Sequence, residues 1–120
     1  MTRRRVILLV VTAIGVAGAR PVDAHHGWSG YDGDKPLTLT GVIRESGYEH
    51  PHGHVRLEVA GDRTWLVVLA PPSRMERRGL PASALKIGTT ATVVGYSSRT
   101  DPGELRAERI SVDGKTVELR

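Results

Sequence analysis

Beyond residue 36, apolar positions recur mostly at every second residue, the period of strands that bury one face. Residues 37–43 (LTLTGVI) alternate and are rich in Thr and β-branched side chains, which predicts a first strand. Residues 55–59 (VRLEV) alternate cleanly, Ala60-Gly61-Asp62 is a turn, and residues 64–69 return as the hairpin partner. Residues 89–96 and 105–112 supply a fourth and a fifth strand, and Asp113-Gly114 is a tight-turn pair before a short final strand over 115–119. The inward parity of the fifth strand slips between Ala107 and Ile110, which predicts a bulge. The expected core is Leu39, Ile43, Val55, Leu57, Val59, Val67, Val93 and Ile110, with Trp65 in the core or lining it.

The period changes once. Ser73 and Glu76, after Pro71-Pro72, have the spacing of a capping box, and a short helix over about 74–78 is expected, stopped at Gly79 with Pro81 beyond. Three strands, a helix and two or three further strands is the order of an OB-type barrel. The expected fold class is therefore all-β: a small five- to six-stranded OB-like barrel with one short helix between strands three and four. Another small β-roll or an SH3-like barrel is the competing architecture.

The chain ahead of the first strand has a different character. Arg3, Arg4 and Arg5 form a basic start, residues 6–19 are an uncharged apolar run, and Val22 and Ala24 stand at −3 and −1 of a cleavage site. Fourteen apolar residues fall short of the roughly 20 that span a bilayer, so a cleaved signal peptide is favoured over an anchor. The expected organisation is a signal peptide over 1–24, an extended arm over 25–36 stapled to the surface by Trp28 and Tyr31, and the OB-like domain over 37–120. The expected location is the periplasm.

Charge changes with that boundary. Four of the 17 Lys and Arg and one of the 13 Asp and Glu lie in residues 1–24, which leaves 13 basic against 12 acidic groups beyond it. The basic balance thus belongs to the targeting segment and gives no argument for nucleic-acid binding; no membrane contact is expected after cleavage. Arg74, Arg77 and Arg78 read as a solvated basic helix face. The chain has no Cys, so disulfide stapling and thiolate metal ligands are both excluded.

What remains is histidine. Cleavage after Ala24 would make His25 the first residue, followed by His26, and the other three stand together as His50, His52 and His54. A free α-amine and the Nδ1 of an N-terminal imidazole can close one chelate ring on a metal. Extended, the eleven steps from Pro36 back to His25 span up to about 36 Å, against ~24 Å for the first strand, so the arm can return to the loop that holds the other histidines. A nitrogen-only set suits Cu(II), with Zn(II) as the alternative. The candidate metal residues are His25, His26, His50, His52 and His54. No nucleophile elbow or phosphate loop occurs, and no catalytic residue is assigned. A metal-free barrel that binds a periplasmic ligand or partner is the alternative function, and a copper-dependent oxidative enzyme is a third.

The pattern Ala24-His-His-Gly-Trp-Ser-Gly-Tyr-Asp32, Leu37-Thr-Leu-Thr-Gly41, Pro51-His52, Trp65, Pro71, Arg77-Arg78-Gly79-Leu80, Gly88 and Gly95 resembles a group of small exported bacterial proteins of unknown function. The His-His pair after the signal and the Pro-His of the first loop are its most specific parts. Members usually carry Asn before that Pro-His, where this chain has His50. The resemblance implies an exported domain of no established activity and draws attention to His25, His26 and His52.

Overall fold

The computed structural model describes residues 27–120; the expected signal segment, His25 and His26 lie outside them. After a 3-10 turn at Trp28–Gly30, the order is β1 (Tyr31–Gly47), β2 (His54–Val59), β3 (Arg63–Val68), α1 (Pro72–Arg77), a second 3-10 turn (Ala82–Leu85), β4 (Thr90–Ser98), β5 (Glu104–Val112) and β6 (Lys115–Glu118). The strands form one sheet in the order β3-β2-β1-β4-β5-β6, antiparallel throughout except where β3 also meets β5 in parallel. That extra pairing (Leu66 with Glu104, Val67 with Leu105, Val68 with Arg106) curls the sheet back on itself. The all-β, OB-like expectation holds, with the helix between β3 and β4 as expected.

Inward-facing side chains of all the strands fill one core, in which Ile43, Val55, Leu57, Val67, Val93, Leu105 and Ile110 are completely buried. Six of the eight expected core residues are buried outright; Leu39, Val59 and also Trp65 pack against the core while partly exposed. The bulge expected in the fifth strand is present: Val94 pairs with Arg109 but Gly95 pairs with Ala107, which leaves Glu108 as the additional residue. A second bulge at Arg44 bends β1 so that it pairs with both β2 and β4.

Two expectations need correction. The first strand begins at Tyr31, not at residue 37, so half of the expected arm is strand. Tyr31 pairs with Ser98 and Pro36 with Tyr96, while residues 32–35 stand opposite Ser97 alone. Most of residues 31–36 are exposed and bury no continuous face, so no two-residue period marks them. The helix also starts earlier, and Ser73 does not cap it. Pro71 is the N-cap, with no side-chain hydrogen bond, and Pro72 opens the helix with its backbone angle already set. Its end is as expected: Gly79 takes φ +83, Gly79 N–H donates to Glu76 O at 3.1 Å and Leu80 N–H to Met75 O at 2.8 Å, a Schellman motif. Met75 and Leu80, buried beneath it, lock the helix to the core.

Gly95, where the bulge interrupts the register, has no room for a side chain. A Cβ there would meet the Arg106 carbonyl oxygen and Ala107 Cα, both backbone atoms that cannot step aside. Gly95→Ala is expected to destabilise the fold by about 1–3 kcal/mol in urea denaturation, whereas Gly33→Ala, where a Cβ has nothing within 4 Å, stays within about 0.5 kcal/mol of the unsubstituted protein. Equal midpoints for the two variants would contradict this packing.

Candidate functional site

Strand alternation sends every second residue of β2, β3 and β5 outward, and the closing pairing aligns these residues in rows. One row is His54, Val68 and Arg106; the next is Arg56, Leu66 and Glu104. Leu66 and Val68 thus form a floor with polar groups on both sides. The loop over 48–53 and the start of β1 rise around it, and Pro51, His52, Gly53 and Tyr31 complete the lining of a cleft of about 480 Å³. A second hollow of about 500 Å³, lined by Ser98, Arg99, Thr100 and Asp101, shares Tyr31 and Glu104 with the first.

The loop is held from below. Gly53 N–H donates to Ala70 O at 2.9 Å and Leu69 N–H to Gly53 O at 2.8 Å, which prolongs the β2–β3 ladder past His54. The Tyr48 hydroxyl donates to Leu80 O at 2.6 Å, tying the other end of the loop to the segment after α1. Gly53 lies so close to Met75 of the helix that a Cβ would collide with it. His54 folds its imidazole over Gly47, its β1 partner, in space that only a glycine leaves open.

Arg106 is the unusual member. It is 7% exposed, and its guanidinium carbon lies 4.5 Å from the centroid of the Trp28 ring and 5.9 Å from that of Tyr31. Arg120 stacks on Trp28 at the same 4.5 Å, and Tyr96 meets that ring edge-on at 5.9 Å. Nη2 of Arg106 is 3.5 Å from Nε2 of His52. Burial pulls the Arg106 pKa below its ordinary value, yet arginine retains its charge in proteins. Beside it the Tyr31 hydroxyl donates to Glu104 Oε2 at 3.1 Å. Burial, and then the neighbouring Glu104 carboxylate, push the Tyr31 phenol up to about 12.

Of the expected metal residues, the structure brings His52 and His54 to this cleft. His50 is exposed and does not line it, and His25 and His26 lie outside the described residues. Among the described residues no three His, Asp or Glu side chains converge as a metal set. Trp28 and Tyr31 do fasten the N-terminal segment to the sheet, as expected. The helix arginines do more than face solvent: Arg74 donates to Leu119 O at 3.1 Å, and Arg78 to Glu118 O at 2.8 Å and Arg120 O at 3.1 Å, so two of them anchor the C-terminal strand. Glu104 and Arg106 are site residues that the sequence reading misses. Their alternation with Leu105 and Ala107 puts them outside the core, but only the β3–β5 register places them beside His54 and Arg56.

A family model matches residues 13–105. The chain belongs to DUF6152, a family of unknown function. No curated protein matches it in sequence. In fold this DUF6152 chain is similar to the S. pombe Stn1–Ten1 complex structure (TM-score 0.53, 14% identity, 64% of this chain and 57% of that one). It is also similar to TiaS in its complex with a tRNA and ATP (TM-score 0.51, 16% identity, 75% of this chain and 20% of that one), and to OBody NL8 bound to hen egg-white lysozyme (TM-score 0.51, 15% identity, 68% of this chain and 96% of that one). The chain spans little more than half of the first of these and a fifth of the second. At such identities the likeness establishes the OB-like fold alone.

The raised Tyr31 pKa carries a stability consequence of definite sign. The folded state holds the phenol protonated where the unfolded chain, with its ordinary value near 10, ionises. The contribution is complete below pH 10 and is lost as pH rises from 10 towards 12. The stability difference between the unsubstituted protein and Tyr31→Phe, followed by denaturation from about pH 8 to pH 12, is expected to shrink over that interval. A difference constant with pH would show that folding does not raise the Tyr31 phenol.

Proposed function

We propose that this chain is an exported ligand-binding module whose binding site is the cleft across β2, β3 and β5. One observation carries the reading: His52, His54, Arg56, Glu104 and Arg106 converge around an apolar floor in a cleft of about 480 Å³, inside the roughly 300–1,000 Å³ usual for small-molecule sites. The place fits as well, because OB folds bind their ligands on the face of strands two and three, beside the loop joining strands one and two. The basic start, apolar run and small residues at 22 and 24 support export to the periplasm. A screen of small polar compounds by amide chemical shifts is expected to yield binders that perturb Gly53, His54, Leu66, Val68 and Glu104 together. Binders that perturb only residues elsewhere, such as β6, would overturn the assignment.

A second reading, a Cu(II) or Zn(II) site, is favoured by the position of Trp28. Its ring stacks on Arg106, which lies against His52. Two peptide units separate His26 from Trp28, at most about 7.6 Å between Cα atoms. A chain cut after Ala24 would begin one residue further out, at His25, at most about 11 Å from Trp28. In this reading the His25 amine and imidazole chelate the metal, and His26, His52 or His54 completes a nitrogen set suited to copper. Protein recovered from the periplasm should have the mass of a chain starting at His25. Its Cu(II) affinity should rise with pH as imidazoles lose their protons, and should fall by more than about tenfold when one Ala precedes His25 or when His52 becomes Ala. Equal affinity in all three proteins would discard the site.

A further inference from the structure

We infer that the ligand of this cleft is a flat organic carboxylate with a hydrogen-bond donor at its opposite end. This rests on the reading of the cleft as the binding site and adds the chemical class of its occupant. The outward residues of β2 and of β5 give the cleft two unlike sides. On the β2 side stand His54 and Arg56, with no carboxylate among the residues that line the cleft there. Arg56 Nε is paired at 2.9 Å with Glu45 at the surface, but guanidinium is a fork of five N–H donors, and one contact through Nε does not exhaust it. On the β5 side Arg106 lies against Trp28 and His52, while Glu104, two residues from it, accepts from the Tyr31 hydroxyl. A carboxylate with two oxygens accepts further donors.

Between these sides lie Leu66 and Val68, with Pro51 above them, an apolar surface suited to a ring and not to a hydrated inorganic anion. With β3 between them, the outward residues of β2 and β5 stand about 9–10 Å apart. A para-substituted benzene ring lying across β3 reaches both: its carboxylate faces Arg56 and His54, and its far substituent donates to Glu104. Arginine binds carboxylate in a planar two-bond geometry that lysine does not reproduce.

The test uses the full chain, stripped of metal with a chelator, and three probes: 4-hydroxybenzoate, its neutral amide 4-hydroxybenzamide, and sulfate as a competitor. Calorimetry and amide shifts are read together. The carboxylate is expected to bind at least about tenfold more tightly than the amide and to shift His54, Arg56, Leu66, Val68 and Glu104. Arg56→Gln is expected to remove the difference between the carboxylate and the amide, and Arg56→Lys to restore part of it. The amide spectrum of each variant verifies that it is folded. Equal binding of acid and amide would overturn the carboxylate assignment and leave the cleft as a site for neutral ligands. Displacement by sulfate at matching affinity would reduce the site to a point charge and overturn the organic class. Failure of all three probes to shift the cleft residues would overturn the inference, while binders from a broader screen would keep the site itself.

Discussion

Three residue pairs between β3 and β5 hold the molecule in the form that its other features require. Without them the strands would make an open sheet, with Leu66–Val68 and Glu104–Arg106 on separate edges. With them, Val67 and Leu105 face each other in the core and their neighbours face outward together. The register has no freedom, because a slip of one residue would turn Arg106 inward and Leu105 out. The core therefore fixes the cleft: burial of the apolar row decides which charged residues stand side by side on the reverse. The β4–β5 bulge at Glu108 acts on the same strand, re-phasing it so that Ile110 returns to the core after Ala107.

The outer face carries a second constraint, the burial of the Arg106 guanidinium. Desolvating a cation is costly unless something replaces its water. Here aromatic faces do so, and a stacked guanidinium gains roughly 0.5–2 kcal/mol from such contacts. Trp28 serves Arg106 and Arg120 alike, which joins the N-terminal segment to the C-terminal end of the chain, itself anchored by Arg74 and Arg78. By contrast the cross-strand pairs Arg44–Glu58 and Arg56–Glu45 lie in solvent, where such pairs contribute little. The N-terminal segment thus belongs to the wall of the cleft.

What can be read from the sequence follows from how local each signal is. Strands with one buried face announce themselves by period, and β2, β3 and β5 are legible, bulge included, because Val55, Val67 and Ile110 each have to point inward. The αL glycine at 79 is legible because a helix end needs one. Residues 31–36 are not, since they pair with β4 without burying a face. The capping-box spacing misleads because Pro72 takes the first helical position and moves Ser73 inside. The candidate site is half legible: the cluster at His52 and His54 stands out as a run, but Tyr31, Glu104 and Arg106 join it only through pairings between distant parts of the chain, which no local spacing records. Arg106 leaves a trace, as a charged side chain alternating with Leu105 and Ala107, with nothing to say that it would be buried.

His52 is where the metal and the organic anion place opposite demands on the cleft. Guanidinium only donates, so a hydrogen bond across the 3.5 Å between Arg106 Nη2 and His52 Nε2 requires the ring proton on Nδ1. A metal at Nε2 would displace the arginine and set two positive charges against each other. A metal at Nδ1 would drive the ring proton to Nε2, against the same donor. Either way the contact with His52 would be lost, while Trp28 and Tyr31 hold Arg106 where it is. A carboxylate would ask for no such move, since it would approach from the β2 side and add a negative charge to a cleft with two arginines and one glutamate in its lining. On the proposed reading of the cleft, an anion is the occupant that leaves the Trp28–Arg106 stack undisturbed. On the metal reading, capture at His52 would compete with the Trp28–Arg106 stack and so with the docking of the N-terminal segment.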